Sequence, residues 1–458
     1  MSRSWPAYCL AVILAVAVLV MFIPRPWINP SLFQVCLFVM GSVWAIALTV
    51  RPLSLRFSFP MIPLAAAVAW GLLQMAANWT NGRADTRLAV LTWIGNLVAF
   101  TLALQVCASP QVRRKLLNAL IYFAFAISVV SVVQYFGGDA KIFWLFPTDD
   151  ARVLGPFVNR DQFAAFIEMV LPLALVQALT GGSRATGFAV VSAGMYASVI
   201  AGASRAGALL ATAEVVLVPL ALWFKRRAKE EVRSQLGHRR LSDCITCDSS
   251  TGKGRRRDES RRCRHECPRH VEVTGQESEV RMKTASTDAP DDRRNELSNR
   301  RTATINVWLL ALVFGAVVGW AVLWNRFQDP DPFRGRREIL SGTIAMIHSR
   351  PWTGFGLGTF RTVYPAYASI DFGAVVQHAH NDWAEWAADG GIPFSLLVLS
   401  IAIWSVRRTF RTVWGIGMVA VFVHAAVDFP LQRPVLELWL FALLGALAEE
   451  DRNSCCIP

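Results

Sequence analysis

The feature that most constrains this sequence is the recurrence of long apolar stretches along its whole length. An α-helix needs about 17–25 predominantly apolar residues to cross the ~30 Å hydrocarbon layer of a membrane, and we count about twelve stretches that meet this requirement. Charged residues make up only 17% of the chain, against about 25% in an ordinary soluble domain. We therefore predict an all-α polytopic membrane protein with about 12 transmembrane helices.

Clusters of Lys and Arg give the predicted orientation, because such residues in short loops stay on the cytoplasmic side. Placing the N-terminus inside puts every basic cluster on that side. The predicted organisation is transmembrane helices 1–8 in residues 1–224, a cytoplasmic basic insert at 225–303, helix 9 at 304–324, a periplasmic loop at 325–382, helices 10–12 at 383–449 and a cytoplasmic tail at 450–458.

The insert at 225–303 carries much of the net charge of +13 and has few large apolar residues. Such a composition buries too little surface to offset chain entropy, so we predict that the insert is mostly disordered and is attracted to anionic membrane lipid. No nucleic acid partner is expected. The pairs Cys244/Cys247 and Cys263/Cys267 approach the spacing of a zinc site, although free reduced thiols are the alternative.

The predicted periplasmic loop contains an amphipathic helix at 337–349, with apolar residues at helical spacing and Arg336 and Arg337 near its start. The glycine-rich run TGFGLGTF follows at 353–360. It lacks the strand and helix of a nucleotide-binding unit, so we reject that interpretation. The pair Asp329 and Asp331 favours a turn over a metal site, because a proline separates the two acids.

The loop ends at the sequence QHAHNDWAEW, where His380 precedes a predicted membrane helix capped by Asn381 or Asp382. Asp382, Glu385 and Asp389 fall on one face of this helix. Acids at membrane depth need cationic partners, for which we predict Arg205 and Arg336. Histidine as a residue type titrates near neutral pH, so we predict that His380 is a general base; an interfacial histidine is the alternative.

Two further segments carry charge into the apolar region. RVLGPFVNRDQF contains Arg152, Asn159, Arg160 and Asp161. Asn159 or Asp161 can cap the helix that follows, with the arginines at the membrane interface, and a substrate role for this segment is the alternative. AGASRAGALLA places Arg205 inside a long run of apolar and small residues. A charge there favours an anion in a wet cavity, with a turn arginine at the interface as the alternative.

These motifs together resemble the O-antigen ligase/polymerase family of bacterial inner-membrane glycosyltransferases. The likeness lies in the arginine before an amphipathic helix, the P-x-x-G-x-G-x-G-x-F run, the A-H-N sequence at the start of a span, SRAG at 204–207 and GPFVNRDQFA at 155–164. The resemblance covers about 120–450. Asp389 stands where the family has glutamate, and Pro393 stands where it has glycine.

The resemblance implies transfer of a glycan from undecaprenyl diphosphate to a hydroxyl acceptor, such as lipid A core, at the periplasmic face of the inner membrane, without a metal or cofactor. Arg205 and Arg336 would bind the diphosphate, and His380 would be the base. We predict further substrate contacts from Arg152, Arg160, Arg337, Asn381, Glu385 and Asp389. A polymerase using the same donor, with a polysaccharide acceptor, is the alternative within the family; a polytopic solute transporter is the alternative from another class.

Overall fold

The computed structural model of the chain is mostly helical. It describes residues 4–23, 28–50, 55–137, 141–148, 153–250, 334–371 and 373–455, together with Trp308, Trp324 and Gln328. Arg152, Asp329, Asp331, Cys263 and Cys267, on which predictions were made above, lie outside this part of the chain.

Thirteen α-helices and one small hairpin make up the described residues. The helices are α1 Trp5–Val20, α2 Ile28–Val50, α3 Met61–Ala76, α4 Arg83–Val106, α5 Pro110–Gly137, α6 Arg160–Thr180, α7 Ala185–Gly202, α8 Arg205–Ser250, α9 Arg334–Ser349, α10 Phe360–Val363, α11 Asp382–Thr409, α12 Ile416–His424 and α13 Pro434–Cys455. The strands β1 Lys141–Ile142 and β2 Phe146–Pro147 pair antiparallel. Four 3₁₀ turns lie at Gly182–Arg184, Tyr364–Ala366, Val413–Gly415 and Pro430–Gln432.

Six helical segments within the described residues are long and apolar enough to cross a membrane. They are Arg83–Val106, Pro110–Gly137, Arg160–Thr180, Gly182–Gly202, Arg205–Ala228 and Asp382–Thr409. Four shorter apolar helical segments accompany them, at Trp5–Val20, Leu32–Ala47, Met61–Ala76 and Val413–His424. A helical membrane protein fits these lengths and compositions, whereas the number of twelve crossings stays a prediction, since most of the ninth predicted span lies outside the described residues.

The chain divides into two compact units, one formed by Met1–Val218 with Thr304–Pro458 and the other by Pro219–Ala303. The second unit begins within α8, which continues as a helix to Ser250. Residues 225–250 are therefore helical, although the composition of the insert predicts mostly disorder. The rest of the insert lies outside the described residues.

Aromatic side chains fill the interior of the first unit. Trp439 of α13 is fully buried and donates a hydrogen bond from Nε1 to the Leu14 carbonyl at 2.9 Å. Its ring meets those of Phe166 and Phe123 at centroid distances of 4.9 and 5.9 Å. Burial of such large rings contributes strongly to stability, and here it fixes α6 and α13, which carry residues toward the site described below.

The amphipathic helix predicted at 337–349 is confirmed as α9, Arg334–Ser349. Its buried residues Ile339 and Met346 pack into one apolar cluster with Phe355, Phe360 and Tyr364 of the following segment. This small core ties α9 to the chain that follows it, so that Arg336 in the first turn of α9 is held in a fixed place.

The glycine-rich segment packs against a break in α11. The break lies at Gly391, whose φ of 74° and ψ of 173° are accessible to glycine almost alone. The Ile392 amide donates to the Pro351 carbonyl at 2.8 Å, and the Gly356 amide donates to the Asp389 carbonyl at 2.9 Å. The loop backbone therefore satisfies helix groups that the break leaves unpaired.

A glutamine of α3 holds the loop and the helix together. Gln74 is fully buried, and its Nε2 donates to the carbonyls of Thr353 at 2.7 Å and Asp389 at 2.9 Å. Its Oε1 accepts from the Leu357 amide at 3.0 Å. The TGFGLGTF run is thus tied into the protein through its backbone, in agreement with our rejection of a nucleotide-binding loop.

Candidate active site

One carboxylate connects the arginine of α9 to the histidine before α11. Arg336 Nη2 lies 3.2 Å from Asp428 Oδ2, and Arg336 Nη1 donates to the Val427 carbonyl at 2.9 Å. The other oxygen, Asp428 Oδ1, lies 3.2 Å from His380 Nδ1. Asp428 therefore holds a guanidinium and an imidazole side by side.

Asp428 lies in the turn that follows α12, outside the membrane-spanning helices. Only 2% of its side chain is exposed. Burial by itself raises the pKa of Asp428, but hydrogen bonds with His380 and Asp161 and the charge of Arg336 outweigh it and lower the pKa below the ordinary carboxyl value. The group is an ionised acceptor at neutral pH.

His380 presents one ring nitrogen to Asp428 and the other away from it. Because an ionised carboxylate only accepts, the neutral imidazole carries its proton on Nδ1 and has a lone pair on Nε2. The residue has a left-handed φ of 52°, and its ring meets Phe429 edge-on at 4.8 Å. Its side chain is 30% exposed, so Nε2 belongs to a ring that an incoming hydroxyl can reach.

The cluster extends to the N-terminal ends of α6 and α8. Asp161 Oδ2 lies 3.5 Å from Arg336 Nη2, and its Oδ1 accepts from Ser204 Oγ at 2.5 Å. Ser204 Oγ also accepts from the Gly207 amide at 3.0 Å and so caps α8. Arg205, the first residue of α8 and partly exposed, follows directly on the serine that binds this cluster.

The predicted caps of both helices are confirmed. Asn159 Oδ1 accepts from the Asp161 amide at 2.8 Å at the start of α6. Asn381 Oδ1 accepts from the Ala384 amide at 3.0 Å at the start of α11, while its Nδ2 donates to the Ala426 carbonyl at 2.9 Å. Asn381 thereby fixes the start of α11 against the turn that carries Asp428.

The acids on α11 do not pair with Arg336, so the prediction that Arg336 is their partner is wrong. Glu385 accepts from the Ala379 amide at 2.7 Å and lies 3.0 Å from His378 Nδ1. Asp382 accepts from the Leu431 amide, and Asp389 from the Gly358 amide. All three side chains are buried and accept hydrogen bonds from nearby loops. Helix periodicity predicts that they share one face of α11, but it does not predict which part of the protein that face contacts.

The described residues among the remaining predicted substrate contacts are sequence neighbours of the cluster residues. Arg160 begins α6, immediately before Asp161, and is partly exposed. Arg337 follows Arg336 on α9 and is exposed. Arg152 lies outside the described residues. Two of the three predicted catalytic residues, Arg336 and His380, contact the same carboxylate, that of Asp428. The third, Arg205, directly follows Ser204 in the chain.

Asp161, His424 and Asp428 each offer one metal-ligand atom, and these atoms lie within 4.8 Å of one another. Both carboxylates, however, already contact the guanidinium of Arg336. A divalent cation would have to bind beside that positive charge or displace it, and either costs electrostatic energy. The donor set therefore does not fit a metal well.

Sequence reasoning missed three residues of this region. Asp428 stands in an apolar stretch, and Glu168 and His424 lie within helices that hydropathy assigns to the membrane. Ionisable residues in such segments are costly and are usually functional. The presence of an ionisable residue in an apolar stretch was the one sequence signal for these residues. The same signal that singled out Arg205 was also present at Asp428.

Part of the chain matches a known protein family. Residues 292–399 match the O-antigen ligase family model. This segment resembles O-antigen ligases. It includes α9, the glycine-rich run, His380 and the start of α11, so the family resemblance is confirmed there. No curated protein matches the chain. Asp161, Ser204 and Asp428 lie outside the matched segment, yet they complete the site.

Proposed function

We propose that the chain transfers a glycan from undecaprenyl diphosphate to a hydroxyl acceptor, lipid A core or a similar lipid-linked acceptor. The site would face the periplasm from the bacterial inner membrane. The observation that carries this proposal is the bridge from Arg336 through Asp428 to His380, with distances of 3.2 Å on both sides. It supplies a cation for a phosphate and a base for a hydroxyl in one place.

In the proposed step the acceptor oxygen attacks the anomeric carbon of the glycan. His380 Nε2 takes the hydroxyl proton as the new carbon–oxygen bond forms, and the bond from the anomeric carbon to the diphosphate oxygen breaks. The electron pair leaves with undecaprenyl diphosphate. A single displacement of this kind inverts the configuration at that carbon.

The arginines act on the leaving group. Diphosphate leaves with increased negative charge, which guanidinium groups stabilise through charge-assisted hydrogen bonds. Arg336 uses part of its fork on Asp161, Asp428 and a carbonyl, which orients it. Arg205 is the second proposed diphosphate contact, on the family resemblance and on its place beside Ser204. No metal is needed in this scheme.

A polymerase would use the same donor chemistry and differ in its acceptor, the growing polysaccharide. The family description, O-antigen ligase, favours the ligase. The two are separated by offering the purified protein each acceptor with one labelled lipid-diphosphate glycan.

The test of the proposed function is transfer by the protein in proteoliposomes, compared among three variants. His380→Ala and Arg205→Ala should each abolish transfer while the protein still inserts. His348→Ala is the matched control, because His348 is exposed on α9, and it should transfer at the wild-type rate.

Wild-type protein that transfers no glycan to either acceptor would contradict the proposed function. Transfer by His380→Ala at the wild-type rate would contradict the assignment of the base alone.

A further inference from the structure

A second histidine is buried directly behind the aspartates of the site. His424, the last residue of α12, has Nδ1 at 3.0 and 3.1 Å from the two oxygens of Glu168 on α6. Neither side chain is exposed to solvent at all. Because a carboxylate only accepts, Glu168 holds a proton on Nδ1 of the imidazole.

The two helices align this pair with the aspartate pair. Glu168 lies two turns after Asp161 on the same face of α6. His424 accepts at its carbonyl from the Asp428 amide at 3.0 Å. An imidazole nitrogen of His424 and one oxygen each of Asp161 and Asp428 lie within 4.8 Å of one another. The imidazole therefore lies between the Glu168 carboxylate on one side and the carboxyl groups of Asp161 and Asp428 on the other.

The second ring nitrogen of His424 has an unused hydrogen-bonding capacity. Nε2 is buried and has no hydrogen-bond partner among the described residues. A buried polar atom without a partner is rare in native proteins and costs stability. An apolar side chain would fill the same space without this cost in stability. The imidazole at position 424 therefore points to a role other than packing.

Its position indicates what that role is. The His424 carbonyl holds the Asp428 amide, and an imidazole nitrogen lies within 4.8 Å of the carboxylate oxygens of Asp161 and Asp428. Both of these carboxyl groups contact Arg336. Because Glu168 fixes the ring from the buried side, a shift of the ring would also shift the groups that orient Arg336 and His380.

We propose that Glu168 and His424 form a positioning pair for glycan transfer. The pair holds the Asp161–Asp428 carboxyl groups from the buried side, so that Arg336 and His380 face the substrates in the required orientation. This inference rests on the proposed function, since the reaction is its readout.

The first measurement is the kinetics of His424→Gln. Loss of the imidazole should lower kcat about ten- to hundredfold, which is the range that coupling between contacting residues reaches. KM for the lipid-linked donor should change little, because the orientation of Arg336 matters most where diphosphate charge develops in the transition state. Glu168→Gln keeps the shape and an acceptor for Nδ1, and should show a smaller loss of the same kind.

The decisive measurement is a double-variant comparison with Asp428→Asn, which removes the group through which His424 is proposed to act. The double variant Asp428→Asn with His424→Gln should be about as active as Asp428→Asn alone. A purely structural role for His424 would instead give the product of the two losses.

The matched control is Glu449→Gln. Glu449 is a fully buried glutamate that pairs with Arg56. It lies toward the C-terminal end of α13, whereas the N-terminal end of that helix is the one near the site. At 1.5 Å per residue, Glu449 is about 22 Å from the start of the helix. It should keep the wild-type kcat. Multiplicative losses in the double variant, or unchanged kcat in both His424→Gln and Glu168→Gln, would overturn the inference. An inactive wild type would overturn the proposed function instead.

Discussion

Asp428 accepts a hydrogen bond at 3.2 Å from His380, a residue 48 positions earlier in the chain. The contact joins the turn after α12 to the residue that precedes the cap of α11. It converts a partly exposed histidine into one with a fixed ring orientation and tautomer. The variants below test this arrangement and the loop that supports it.

Asp428→Asn should lower glycan transfer by about a hundredfold or more, as in other sites where the carboxylate that orients a base becomes an amide. The amide no longer offers two acceptor oxygens, so it cannot serve His380 and Arg336 together. The measurement is kcat with a lipid-diphosphate glycan. Asp371→Asn is the control, since Asp371 is an exposed acid of the loop that precedes His380 and accepts from the Gly373 amide. Equal rates for the two variants would contradict the bridge.

Arg336→Lys should lower kcat/KM for the lipid-linked donor at least about tenfold, although the charge is kept. An ammonium lacks the planar fork by which Arg336 contacts Asp161, Asp428 and the Val427 carbonyl. The same exchange at Arg361, which is exposed on α10, is the control and should have little effect. If lysine serves equally at both positions, the orientation of the guanidinium is unimportant.

Gln74→Leu should destabilise the protein by about 2–4 kcal/mol, because it removes three hydrogen bonds of a buried side chain and leaves the buried Leu357 amide without its acceptor. The measurement is the midpoint of thermal unfolding in detergent. Gln34→Leu provides the comparison: Gln34 is also buried, but its one described bond, to Thr92, is long at 3.4 Å. A similar shift in both variants would show that Gln74 does not clamp the glycine-rich segment.

Gly354→Ala and Gly373→Ala separate backbone strain from close packing. Both glycines have left-handed φ values, 63° and 64°. A Cβ at Gly354 would lie 2.2 Å from the Asp389 carbonyl oxygen, whereas one at Gly373 would have no atom within 4 Å. Alanine at 373 should cost about 1 kcal/mol from conformation alone. At 354 it should cost more than about 3 kcal/mol, with poor recovery of folded protein. Equal losses in unfolding midpoint would refute the close approach.

Local features of this fold followed from the sequence. Helix α9 was readable from its apolar spacing, and the caps Asn159 and Asn381 from the preference of short polar side chains for helix starts. Arg336 was found at the start of that amphipathic helix, and His380 was found next to a predicted span. Each of these signals lies within a few residues of the feature it predicts.

Pairings between distant segments did not follow from the sequence. The partners of Arg336 and His424 lie 92 and 256 residues away, and no periodicity connects such positions. The acids of α11 were assigned to the arginines because carboxylates at membrane depth need cationic partners. Tertiary packing gave them to backbone amides and to His378 instead.

The shared carboxylate has a consequence for how such a site can be tuned. On the proposed mechanism, the basicity of His380 and the aim of Arg336 both depend on Asp428, whose two oxygens are each committed. A substitution that shifts Asp428 to favour a bulkier acceptor would alter the hold on the donor at the same time. Acceptor range and donor affinity are therefore bound to vary together, and changes in selectivity must come from surfaces that do not touch this residue.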